Sequence, residues 1–178
     1  MKIRCRFVLP ILLALACTAC FSTPEPPASL GFERFTQKKY EYYEFVFKSN
    51  VDFFSTYWVK EGRPVIRRML VCSLDGDTDF SVEHTLQRFM RGEIESIGRA
   101  AEGKQTQYNY AALVNFSETL DGGRSDNHLS GDAINQLLAD RSTVPCKVIM
   151  TIYLSKPYYS KTMQVPAKAL LDAVTVHQ

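Results

Sequence analysis

Ser81-Val82-Glu83-His84-Thr85-Leu86-Gln87-Arg88-Phe89-Met90-Arg91-Gly92-Glu93-Ile94-Glu95-Ser96-Ile97-Gly98-Arg99-Ala100-Ala101 is the stretch on which the fold class turns. Val82, Leu86, Phe89, Met90, Ile94, Ile97 and Ala101 recur at steps of three and four residues, while Glu83, Arg91, Glu95 and Arg99 take other faces. That spacing predicts a long amphipathic helix over about 81–101 with Gly103 as its stop. A stripe of this width is expected to pack on a sheet rather than to serve a partner or a membrane surface.

On the N-terminal side, Tyr40 to Lys48 alternates, with Tyr43, Phe45 and Phe47 on one face and Glu44 and Lys48 on the other, which is the period of a strand. Val51 to Lys60 has the same character, Lys60-Glu61-Gly62-Arg63 reads as a turn, and Pro64 opens a strand through Cys72, so a hairpin is expected here. The aromatics Tyr40, Tyr42, Tyr43, Phe53, Phe54, Tyr57 and Trp58 fit strand packing better than a ligand-stacking surface. On the C-terminal side, Gln105 to Ser117 alternates as a long strand. Asp121 to Asp132 is a polar, glycine-rich loop, Ser130-Gly131-Asp132 can start a short helix carrying Ile134, Leu137 and Leu138, and Cys146 to Leu154 is an apolar strand. A short strand near Lys161 to Val165 and a closing helix Ala167 to Val174, opened by Pro166, complete the order. The expected class is α+β: a mostly antiparallel sheet of about five to six strands, covered by the long helix and two short ones.

The chain begins Met-Lys-Ile-Arg-Cys-Arg, and Phe7 to Ala16 is an uncharged, mostly apolar run ending in small residues and cysteine, the order of a secretory signal. A spanning helix needs about 20 apolar residues, and Pro24, Glu25, Pro26 and Pro27 come too soon for that. Ala14-Leu15-Ala16-Cys17 resembles the lipobox of bacterial lipoproteins, in which small residues precede a cysteine that is acylated and becomes the mature N-terminus. Cys17-Thr18-Ala19-Cys20 offers a second register. The resemblance covers only the first 20 residues and implies lipidation of Cys17, with Cys20 as the alternative, palmitate among the acyl chains, and membrane attachment through that lipid. Since Thr18 or Phe21 follows and neither is Asp, it further implies an outer-membrane lipoprotein facing the periplasm. Residues 1–16 are thus read as signal, 17–30 as a lipidated tether whose Ser22 to Ser29 segment is extended by three prolines, and 31–178 as one α+β domain.

With Lys2, Arg4 and Arg6 assigned to the signal, 18 basic residues face 19 acidic ones, so no nucleic-acid footprint is expected. Cys72 and Cys146, in predicted strands and an oxidising compartment, are expected to pair, closing a loop of about 75 residues for roughly 4 kcal/mol in the chain-entropy model. Asp75-Gly76-Asp77-Thr78-Asp79 opens like a calcium loop but has Phe80 where glycine and Leu86 where a bidentate Glu are needed. Turn chemistry and negative charge at the start of the following helix account for these aspartates, and no metal or cofactor is expected. Within Arg124-Ser125-Asp126-Asn127-His128 a serine, an acid and a histidine lie close in sequence, yet no strained nucleophile turn presents the serine. Arg124, Asp126 and His128 stand instead as a possible ligand or partner loop. His84 reads as a surface residue, His177 lies one residue from the terminus, and Asn115-Phe116-Ser117 is a glycosylation sequon without meaning in a bacterial strand.

These readings favour a non-enzymatic interaction or assembly component of a cell-envelope complex, with an envelope protein as partner. A protective binder, either an immunity protein or an inhibitor of an envelope-attacking enzyme, is the alternative. A periplasmic hydrolase using the Asp126 and His128 region is the third.

Overall fold

The computed structural model describes residues 26–55, 62–102 and 105–175. The expected signal, Cys17, Cys20, Tyr57, Trp58, Gly103 and His177 lie outside the described residues. The element order is β1 (Leu30–Lys39), β2 (Tyr42–Ser49), β3 (Val65–Ser73), β4 (Arg88–Glu102), β5 (Gln105–Leu120), β6 (Ser125–His128), α1 (Gly131–Leu138), β7 (Thr143–Ile152), β8 (Tyr158–Tyr159), β9 (Met163–Pro166) and α2 (Ala167–Thr175). The strands form one antiparallel sheet in the order β1-β2-β5-β4-β3-β7-β8, with β6 beside β5 and β9 beside β7. The sheet curls until β1 meets β9, and α1 and α2 pack together where α2 touches β1, β7 and β9.

Two corrections follow. The long helix over 81–101 does not exist: Ser81 to Gln87 is an irregular loop and Arg88–Glu102 is a strand, so the expected α+β class, with five to six strands under a long helix, gives way to a mostly antiparallel sheet of nine strands with only two short helices among the described residues. The three-and-four spacing misleads because both faces of β4 bury apolar groups at its start. Met90 and Ile94 enter the core, while Phe89 is buried on the opposite face. Neighbours on both edges decide the outcome, since β4 pairs with Met69–Ser73 on one side and with most of β5 on the other. Gly92 and Gly98 would each cost a helix about 1 kcal/mol. In the strand, Gly92 passes so near the Leu113 carbonyl that a Cβ would collide with it, and Gly98, at φ +139°, sits at a register shift.

The second correction concerns Val51 to Lys60: Val51 to Ser55 is turn rather than strand, its remainder lies outside the described residues, and β3 pairs with β4 and β7 instead. Three further strands fall where none was expected, namely β1, β6 and β8. Both short helices stand where expected, and Ser130 caps α1 by accepting a hydrogen bond from the Ala133 N–H at 3.3 Å.

The concave face holds the core: Phe45 and Phe47 of β2, Tyr110 and Val114 of β5, Leu70 and Cys72 of β3, Val148 and Met150 of β7, roofed by Ile134, Leu138, Leu170 and Val174 of the helices. Within it Cys72 and Cys146 form the expected disulfide, with sulfurs 2.02 Å apart. Tyr43 and Phe53 are core residues, whereas Tyr40 and Tyr42 are exposed at the β1–β2 turn and Phe54 stacks at 6.1 Å on Tyr110.

The sheet has two distinct ends. At the entry end the chain joins β1: Ala28 is fully buried, its N–H donates to the Tyr158 hydroxyl at 2.6 Å, that hydroxyl donates to the Pro26 carbonyl at 3.2 Å, and Lys161 N–H donates to the Ala28 carbonyl at 2.8 Å. β2 and β7 end there, at Ser49 and Ile152, and β3 begins at Val65. At the distal end lie the β1–β2 turn, the 74–87 loop and the 121–124 turn.

Candidate functional site

The distal half of the convex face carries a cleft of about 280 Å³ between the 74–87 loop and β6. Its floor is Val71, Phe89 and Ile149 from β3, β4 and β7, with Phe80 of the loop, which is buried despite lying between polar residues. The loop covers this apolar floor because its ends are tied to the sheet. Leu74 N–H donates to the Arg88 carbonyl at 2.9 Å, Thr119 donates from its N–H to Gln87 and from its hydroxyl to Leu86, both at 2.7 Å, and Arg141 reaches the Asp75 carbonyl at 2.6 Å.

The aspartates of the loop form turns. Asp77 accepts from the Asp79 N–H and Asp79 from the Ser81 N–H, each at 2.9 Å, while the Asp75 carboxylate accepts from Arg88 N–H at 3.0 Å. The Asp79 N–H and the neighbouring His84, 2.6 Å away, hold the Asp77 carboxyl below its usual range, and the Ser81 N–H does the same for Asp79. Turn hydrogen bonds and two side-chain pairs, Asp77 with His84 and Asp75 with Arg88, account for these carboxylates, while the helix expected to follow them is absent. Among the described residues no group of three His, Cys, Asp or Glu side chains is placed to hold a metal ion.

The far wall of the cleft carries the polar segment singled out from sequence, now strand β6. Asp126 Oδ2 accepts from Arg91 Nη2 at 2.5 Å, and the same guanidinium lies 4.9 Å from the Phe89 ring centre. Arg91 and Asp126 both line the cleft. His128 is paired elsewhere, its Nδ1 3.0 Å from Asn115 Nδ2 and 3.9 Å from Glu41, while Ser125 donates to Asp121 at 3.4 Å. Arg124 is exposed in the adjoining turn. The serine, acid and histidine of this segment thus engage separate partners and not one another. Of the three residues expected to mark the site, Asp126 lines the cleft and Arg124 and His128 do not.

Arg91 and Phe89 escaped sequence reasoning because β4 is a strand, and Phe80 because it lies in the loop before that strand. On a helix Arg91 belongs to a solvated face, and only the strand places it between Val71 and Asn115 on the convex side. The resulting site is an apolar floor with a stacked arginine paired to the one lining carboxylate, Asp126, and the His84 imidazole on the rim. At about 280 Å³ it is small for a drug-sized ligand. A comparison with protein-family models, with curated proteins and with solved structures finds no match.

Proposed function

We propose that this chain is a lipid-tethered protein of the bacterial cell envelope whose distal cleft receives a protein partner, making it an interaction or assembly component rather than an enzyme. The observation that carries the proposal is that the cleft and the chain entry occupy opposite ends of one sheet. Tyr108 pairs with Ser49, which pairs with Leu30 at the entry end, and Thr119 lines the cleft. The stretch of β5 between Tyr108 and Thr119 spans roughly 35 Å at the rise of a strand. A lipid on Cys17 or Cys20 holds the entry end at the membrane and leaves the cleft facing the periplasm. An apolar floor that includes two aromatic residues and lies beside an arginine has the composition of the energetic centre of protein interfaces.

The test is site-specific photocrosslinking in intact cells from position 82, at the cleft rim, and from position 97 at the other end of β4, exposed and outside the cleft lining. A single envelope protein captured from position 82 and absent from position 97 is expected, and Arg91→Glu should remove it. Capture from neither position, or equally from both, would overturn the proposal. The identity of the captured protein separates an assembly complex from an enzyme that attacks the envelope.

A further inference from the structure

We infer that the turn between β7 and β8 is a membrane-contacting tip, with Leu154 entering the interface of the anionic phospholipid bilayer that holds the N-terminus; the inference rests on the lipid-anchored reading above. Leu154 is 86% exposed and adopts φ +50°, a left-handed conformation that a branched aliphatic residue rarely takes. Neither its own burial nor its backbone comfort explains this arrangement in water. The residue is not isolated. Tyr153 and Ile66 are each 55% exposed, and the register places them at the same end, with Val65 opposite Ile152 and Tyr153 N–H donating to the Pro64 carbonyl at 3.0 Å.

The surrounding charge suits a bilayer surface. Arg63, Arg67 and Lys156 are exposed around the apolar group, and cations beside apolar and tyrosine side chains match anionic headgroups above hydrocarbon. The tether sets the orientation. Tyr158, whose hydroxyl holds Pro26 and Ala28, follows Leu154 by four residues. From Cys20 to Ala28 the chain can reach no more than roughly 30 Å, and from Cys17 roughly 40 Å. An anchored protein therefore keeps this end within reach of the surface at all times, and Leu154 is the apolar group it presents.

The test uses the full, processed chain reconstituted in phosphatidylethanolamine–phosphatidylglycerol vesicles whose acyl chains carry bromine. Trp58 is the only tryptophan, so Leu154→Trp and Val82→Trp are each placed on a Trp58→Phe background. For Leu154→Trp the emission should shift to the blue and fall about twofold, as for a side chain buried several ångströms into the interface, while Val82→Trp at the distal end stays unchanged. Equal emission from the two would overturn the inference. A photocrosslinking residue at position 154 of the chain with native Trp58 gives a second measurement, in which a phospholipid adduct supports the inference and its absence from membrane-bound protein overturns it. Intact mass of the same samples separates the two levels. A chain without acyl groups overturns the anchored reading and this inference together, whereas an acylated chain with unquenched emission overturns the inference alone.

Discussion

Cys72 and Cys146 stand directly opposite each other on the antiparallel strands β3 and β7, both fully buried, and are joined through their sulfurs across the middle of the core. The crosslink ties the hairpin-rich N-terminal half to the segment that carries both helices. The Cys72→Ala, Cys146→Ala double variant should lose about 2–4 kcal/mol, measured as the shift of the urea midpoint. Because neither sulfur of this pair is exposed, the native protein should resist mild reductant that readily reduces the urea-unfolded chain.

Gly92→Ala should destabilise by about 1–3 kcal/mol, since a Cβ at this position runs into the backbone of Leu113 and β4 and β5 must part to admit it. Gly62→Ala, at φ +69° with open space around it, tests the contrast and should cost about 1 kcal/mol from backbone conformation alone. Equal effects in thermal unfolding would contradict the packing argument.

Tyr110→Phe removes the buried hydroxyl that accepts from Phe53 N–H at 2.9 Å and holds the 50–55 turn against the core. Burial pushes the phenol well above its ordinary range, so the group stays neutral and acts as an uncharged hydrogen-bonding partner at all working pH values. The loss should be about 1–3 kcal/mol, with faster hydrogen exchange at Phe53, where Arg68 Nε donates to the carbonyl at 2.9 Å. Unchanged exchange there would refute it.

Asp77 governs how the cleft loop responds to acid. Its carboxyl is held below the ordinary 3.8 by the Asp79 N–H first and His84 second, so its contribution is fully present above that value and lost as pH falls through the lower folded-state value. Local opening of residues 74–87 should therefore increase as pH drops below about 4, ahead of global unfolding. Asp77→Asn should flatten that dependence in hydrogen-exchange profiles. An unaltered profile would show that the loop is held by its backbone ties alone.

The Arg91–Asp126 pair should matter for recognition and little for stability. Both side chains are exposed enough for water to screen them, and such pairs contribute about 0–1 kcal/mol. Asp126→Asn should leave the unfolding midpoint nearly unchanged while weakening capture from position 82; a large stability loss would instead make the pair structural.

What the sequence determined by itself was local. Alternation marked β2 and β5, because a half-buried strand writes its two faces into every second residue, as Phe45 and Phe47 against Glu44 and Lys48 illustrate, although Val46 on the second face of β2 is buried as well. Ser130 and Pro166 marked the starts of the short helices, since capping and fixed φ act within a few residues. The disulfide followed from the presence of two cysteines in strands. Tertiary structure alone decided β4, where apolar residues on both faces imitate a helical stripe and pairing with β3 and β5 outweighs that local pattern. It also decided the site, because Arg91 and Asp126, 35 positions apart in sequence, meet only when β4 and β6 both pair with β5 and the arginine side chain reaches from its place opposite Asn115 toward Asp126 opposite Thr119. Register is a property of neighbouring strands, and no residue carries it alone.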